Sequence, residues 1–198
     1  MDSAAARARA LDAAEALFYG RGIQSVGMDD IRGASGVSLK RLYQLFPAKE
    51  HLVVAYLERR DLRWRQRLAA HVDGHTDPRR RVLAVFDWLG AWFREPGFRG
   101  CAWINSYGEL GATSEPVADQ VRTHKRAFKE YVVGLAGEAG LPAEPAGQLH
   151  LLAEGAMTTA AIERSAAPAA LAGRAAQALI DAYGAAATPC AAPQPAID

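Results

Sequence analysis

Apolar residues along this chain return every three or four positions and almost nowhere alternate, a period that builds helices and not strands. Leu11, Ala14, Leu17 and Phe18 make the buried stripe of a first helix over about 3–19, which Gly20 and Gly22 end. A second helix is expected over 28–34 and a third over 38–45. Pro47 closes the third, because proline disfavours helical geometry at Phe46 before it. A fourth runs from about 48 to 71, with Leu52, Val53, Tyr56, Leu57 and Trp64 on its apolar face. The same period predicts helices over 79–94, 101–110, 115–138, 146–162 and 168–183, broken by Gly and Pro between them. The expected fold is all-α with about nine helices. Residues 1–48 form a three-helix head, 49–186 a larger helical body, and the Ala- and Pro-rich 187–198 a flexible tail.

The stretch MDDIRGASGVSLKRLYQLFPAKE, residues 28–50, carries the strongest functional signal. Gly36 supplies the backbone freedom that a tight corner needs, and Ser38 is a good cap for the helix that follows. That helix is short and basic, and it holds Lys40, Arg41, Tyr43 and Gln44. These side chains hydrogen-bond to phosphates and base edges, as a recognition helix in a DNA major groove requires. Lys40 and Arg41 sit at its N-terminal end, and either can donate to guanine O6 and N7. Gln44 suits adenine or a phosphate.

Charge sharpens this picture only when read locally. The 198 residues carry a formal net charge of +1, poor support for a nucleic-acid partner. Yet 31–49 holds four cations, Arg32, Lys40, Arg41 and Lys49, and no acid. Half the residues are hydrophobic, so a packed core is expected. No apolar run approaches the ~20 residues that span a bilayer, and the N-terminus does not read as a secretory signal, so a cytoplasmic protein without membrane contact is expected. Cys101 and Cys190 make no disulfide framework, and the five histidines are scattered. Neither a metal site nor a cofactor is expected. The arginine-rich far half of the fourth helix, from Glu58 to Arg67, reads as a solvated face.

The head resembles that of the TetR family of bacterial transcriptional repressors. The resemblance rests on Leu11-Asp12-Ala13-Ala14 with Leu17-Phe18, Gly22, Met28-Asp29-Asp30-Ile31, Ala34-Ser35-Gly36-Val37-Ser38, Leu42-Tyr43, Phe46-Pro47 and Lys49-Glu50 with Leu52, at unbroken spacing. It implies a homodimer whose two heads bind a palindromic double-stranded operator, and a small-molecule effector that releases it. It also implies a dimer interface made by the last two helices. Ser38, Lys40, Arg41, Tyr43, Gln44 and Lys49 are the expected DNA-binding residues, with Tyr43 and Lys49 matching family positions that touch phosphate. Two positions depart from the family pattern. Gly27 stands where Ser or Thr usually caps the second helix, and Leu39 stands where a cation is frequent.

The family resemblance places an effector pocket between the fifth, sixth and seventh helices. The residues offered there as ligand-binding are Phe86, Trp92, Cys101, Trp103, Asn105, Tyr107, Phe128 and Tyr131. Aromatic walls with a few polar groups suit a small-molecule site, although aromatics at helical spacing also make ordinary core. Cys101 opens the sixth helix beside Arg99, where a thiol is more easily oxidised or alkylated. Small residues in the eighth and ninth helices, such as Ala156, Ala160, Ala172 and Ala176, permit the close approach that a two-fold interface needs. The competing reading is a helical adaptor or an enzyme that has lost operator binding. Against an enzyme stand the missing nucleotide-binding glycine loop, nucleophile elbow and metal cluster.

Overall fold

Polar caps, prolines and glycines cut the chain into helices at the places their chemistry dictates. The computed structural model describes residues 2–186, and the expected tail at 187–198 with Cys190 lies outside them. Nine helices and no strand occur among the described residues. They are α1 (Ser3–Arg21), α2 (Met28–Ser35), α3 (Leu39–Leu45), α4 (Lys49–Val72), α5 (Pro78–Phe93), α6 (Ala102–Leu110), α7 (Glu115–Glu138), α8 (Ala143–Glu163) and α9 (Ala167–Ala186). Asp77 caps α5 by accepting from the amides of Arg79 and Arg80, with Pro78 at a position whose missing N–H costs nothing. Ser114 caps α7, accepting from Val117 N at 3.3 Å.

The architecture is all-α. α1, α2 and α3 pack on one another, and α4 lies against α1 before running on into the body. There α7 contacts α4, α5, α6 and α8, while α9 lies across α5 and α8. α8 begins earlier than the sequence suggests. Pro145 falls within its first turn, where no intrahelical bond needs its amide, so it does not delay the helix. The core is continuous from Ala6, Phe18 and Leu42 in the head through Leu57 and Leu68 to Leu149 and Ile180 in the body. No helix among the described residues is long and apolar enough to cross a membrane.

Candidate functional site

The corner between α2 and α3 is built by Gly36. Its φ is +65°, and a Cβ there would sit 2.6 Å from the Arg9 guanidinium, so only glycine fits without rearrangement. Ser35 Oγ accepts from Val37 N at 3.1 Å and Ser38 Oγ from Arg41 N at 3.3 Å, fixing both sides of the turn. The N-cap of α2 is Gly27, which has no side chain to donate or accept. Half of a capping box survives nonetheless, because Asp30 Oδ2 accepts from Gly27 N at 2.8 Å.

On α3 a single side chain, Leu42, is fully buried and anchors the helix. Ser38, Lys40, Tyr43 and Gln44 are exposed, Tyr43 to 47% despite its large ring. Arg41 is half-buried, and its Nη1 donates to Gln44 Oε1 at 3.1 Å. Lys49 begins α4, half-buried, with its ammonium 6.0 Å from the centre of the Phe18 ring. Burial pushes its pKa down, against the opposing pull of Glu109 and Asp30.

The aromatic residues of the body gather around Trp64 of α4. Its ring meets those of Trp88, Trp92, Trp103, His124 and Phe128 edge-on, at centroid distances of 5.0–6.3 Å. Edge-to-face pairs of this kind add to the stabilisation from burial alone. Trp103 stacks flat on His124, 3.4 Å away and tilted by 4°. His124 is 1% exposed, and its Nδ1 lies 2.6 Å from Asp61 Oδ1. Burial holds the imidazole pKa below its ordinary value, although Asp61 pulls it up. Burial pushes the Asp61 carboxyl up, but the hydrogen bonds and charges of His124 and Arg65 outweigh it and hold the pKa low. A neutral imidazole donating Nδ1–H to a carboxylate satisfies both shifts.

Of the residues offered for a ligand, Trp92, Trp103 and Phe128 therefore come together, packed against Trp64. The others lie elsewhere. Phe86 is buried against Gly173 of α9. Cys101 is buried at the N-cap of α6, with Lys125 Nζ 3.4 Å from its sulfur and 2.5 Å from Glu154 Oε2. Asn105 and Tyr107 are exposed, Asn105 donating to the Arg99 carbonyl at 3.0 Å. Tyr131 is the exception that stays near the set, bordering a surface groove between α4 and α7 together with Phe128.

Sequence reasoning missed the contacts that tie head to body. Glu109 of α6 reaches under the α1–α2 turn and accepts from Ile23 N at 3.0 Å and Gln24 N at 2.7 Å. Gln24 Nε2 returns a bond to the Glu109 carbonyl at 2.6 Å. Tyr19 Oη donates to Gly100 O and accepts from Arg99 N, both at 2.8 Å. Just past the head, and within the body, Ser114 Oγ donates to Glu50 Oε1 in the first turn of α4 at 2.5 Å. The arginine run of α4, expected to be a solvated face, is in part an interface. Arg59 pairs with Asp12 and Glu15, while Arg60 and Arg63 pair with Glu15. Burial pushes the Glu15 carboxyl up, yet the hydrogen bond from Arg63 and the three arginine charges hold it below the ordinary value. The available signal was acids on α1 facing cations spaced three and four apart on α4.

Residues 10–56 match the family described as bacterial regulatory proteins, tetR family. An uncharacterized HTH-type transcriptional regulator of Mycobacterium tuberculosis is 37% identical over 116 residues, 56% of this chain and 56% of the relative. The HTH-type transcriptional activator FasR of Mycolicibacterium smegmatis is 33% identical over 145 residues, 71% of this chain and 63% of that protein. The chain thus spans a little over half the length of these curated relatives. Among solved structures, a TetR-family transcriptional regulator from Streptomyces coelicolor superposes with a TM-score of 0.85 at 29% identity, covering 91% of this chain and 96% of its own. With the head motif, the nine-helix order and these likenesses in agreement, residues 10–56 are a TetR-family domain, on a chain that shares the fold of TetR-family regulators.

Proposed function

We propose that this protein is a DNA-binding transcriptional regulator, a repressor that binds a palindromic operator as a homodimer and is released by a small molecule. This is a binding function and not a catalytic one, in keeping with the regulators it resembles. The observation that carries it is the outer surface of α3. Lys40, Tyr43 and Gln44 are exposed on a helix anchored by the buried Leu42, an arrangement that leaves polar side chains for a groove. In this reading Arg41, Lys40 and Gln44 read bases, while Ser38, Tyr43 and Lys49 hold phosphates.

The homodimer is proposed to form through α8 and α9. Leu151, Ile162 and Leu171 are 67%, 77% and 63% exposed there, large apolar side chains that a partner would cover. A shallow groove between Leu151, Leu152, Ala175 and Leu179 offers a self-complementary seat.

The test is binding to DNA flanking the protein's own gene, with footprinting across a salt series. A protected palindrome, with affinity falling steeply as salt rises, is the expected result. Weak and sequence-independent binding, persisting across a genome-wide selection of fragments, would remove the regulator reading. Sedimentation of the same samples checks the dimer.

A further inference from the structure

A cleft of about 520 Å³ opens where the head meets the body, between α1, α4 and the α5–α6 turn. Its size lies within the ~300–1,000 Å³ of small-molecule sites. Half-buried Phe98 supplies an apolar wall, Trp64 and Trp92, each 4% exposed, reach the cleft by an edge, and Tyr19 closes the head side. Arg60, Arg63, Arg67 and Arg99 line it too, against only two carboxylates, Glu15 and Glu95. Arg63 and Arg67 lie one turn apart on α4, with side chains 51% and 54% exposed, so both guanidinium groups are open to water. Arg63 pairs with Glu15, and Arg67 pairs with Glu95. Arg99 makes its hydrogen bonds here through its backbone. Two lining side chains, Trp64 and Arg60, also carry buried N–H donors, Nε1 and Nε, without an acceptor among the described residues.

We infer that this cleft is a binding site for an organic anion with a flat aromatic body, a carboxylate or sulfonate whose charge sits on Arg63 and Arg67 and whose rings lie against Phe98, over the small edges that Trp64 and Trp92 leave in the cleft. Two guanidinium groups present paired N–H donors to the oxygens of such an anion, and the apolar side of the cleft accepts its rings. Both arginines are already held by carboxylates, so binding exchanges a carboxylate of the protein for the anion of the ligand. That exchange has a consequence for the head. Glu15 belongs to α1, and an anion that takes Arg63 from it removes one of the ion pairs by which α4 holds the head. The regulatory half of this inference rests on the regulator reading; the site itself does not.

The probe is 8-anilinonaphthalene-1-sulfonate, compared with the neutral N-phenyl-1-naphthylamine, which has the same rings and no charge. Energy transfer from tryptophan to the probe reports binding, and the arginine variants place it in the cleft. One probe per chain is expected. The double variant Arg63→Gln, Arg67→Gln should weaken it at least tenfold and leave the neutral analogue unchanged. Glu95→Gln removes a competitor for Arg67 and should tighten the sulfonate about threefold, an effect that a damaged fold does not produce. Sulfonate affinity within twofold of the parent in the double variant, or equal binding of the neutral analogue, overturns the site. DNA binding is measured on the same samples without probe, so a head that does not bind DNA declares itself separately. If specific DNA binding is present and saturating probe leaves its affinity unchanged, the site stands and its coupling to the head is overturned.

Discussion

The short helix α3, proposed above to meet DNA, and the tryptophan cluster of the body are opposite solutions to the same problem of where a side chain finds its partner. On α3 only Leu42 is fully buried, and Lys40, Tyr43 and Gln44 reach outward. In the cluster Trp64, Trp88, Trp92, Trp103, His124 and Phe128 are all at most 5% exposed and meet one another ring to ring. An outward side chain contributes little to stability and keeps its energy for a partner. A sealed one has already used that energy inside the chain. Substitutions should therefore damage function without stability in the first region and stability before function in the second.

The largest expected effect lies in the cluster. Trp64→Ala should lower the unfolding free energy by ~3–5 kcal/mol, measured by denaturant titration, while the fraction still folded keeps its DNA affinity. A loss near zero would mean the region is not sealed, and the comparison would fail. Next is Arg41→Ala on α3. It should weaken specific DNA binding by ~1–3 kcal/mol in a titration at fixed salt and change stability by no more than ~0.5 kcal/mol.

Glu109→Ala tests a residue that belongs to neither region but joins their domains of influence. Loss of its two bonds to the α1–α2 turn should cost ~1 kcal/mol, given their partial exposure. Amide exchange at Ile23 and Gln24 should speed up while that of α7 does not. Uniform acceleration across the chain would make Glu109 a general stabiliser and not a local tie.

The smallest effect concerns pH. The folded pKa of His124 is held below its ordinary value by burial. The unfolded chain therefore takes up a proton, at and below about pH 6.5, that the folded chain resists. Stability from this source is fully present above that pH and is lost as pH falls toward the depressed folded value. The depressed pKa values of Asp61 and Glu15 remove more at lower pH still, once carboxylates begin to protonate. His124→Gln keeps a donor for Asp61 but does not titrate, so its melting temperature should change less than the parent's between pH 7 and 5. An unchanged slope would assign the pH dependence to another group.

The comparison also explains what could be read in advance. The corner at Gly36, the cap at Ser38 and the break at Pro47 are local events within a few residues, so composition and spacing alone locate α2 and α3. Helical period likewise placed the bounds of α7 where the structure has them. The body resisted because its meaning is set by distant neighbours. Nothing near Trp64 in sequence says that Trp103 and Phe128 will enclose it, and Asn105 and Tyr107, one and two turns from Cys101, face outward instead of inward. The arginines of α4 look like solvated charge until α1 is laid against them. Glu109 gave no signal at all, because its partners are backbone amides 85 and 86 residues away.

The ion pairs between α1 and α4 also bear on how such proteins can be recombined. A cut before Lys49 looks natural, since it falls between two helices. It would nonetheless part Glu15 and Asp12 from Arg59, Arg60 and Arg63, which lie up to four turns into α4. A head transplanted with that junction would meet foreign side chains where it now meets three cations. The transferable unit is the head together with α4 as far as Arg63, and a receiving body must bring its own equivalent of Glu109.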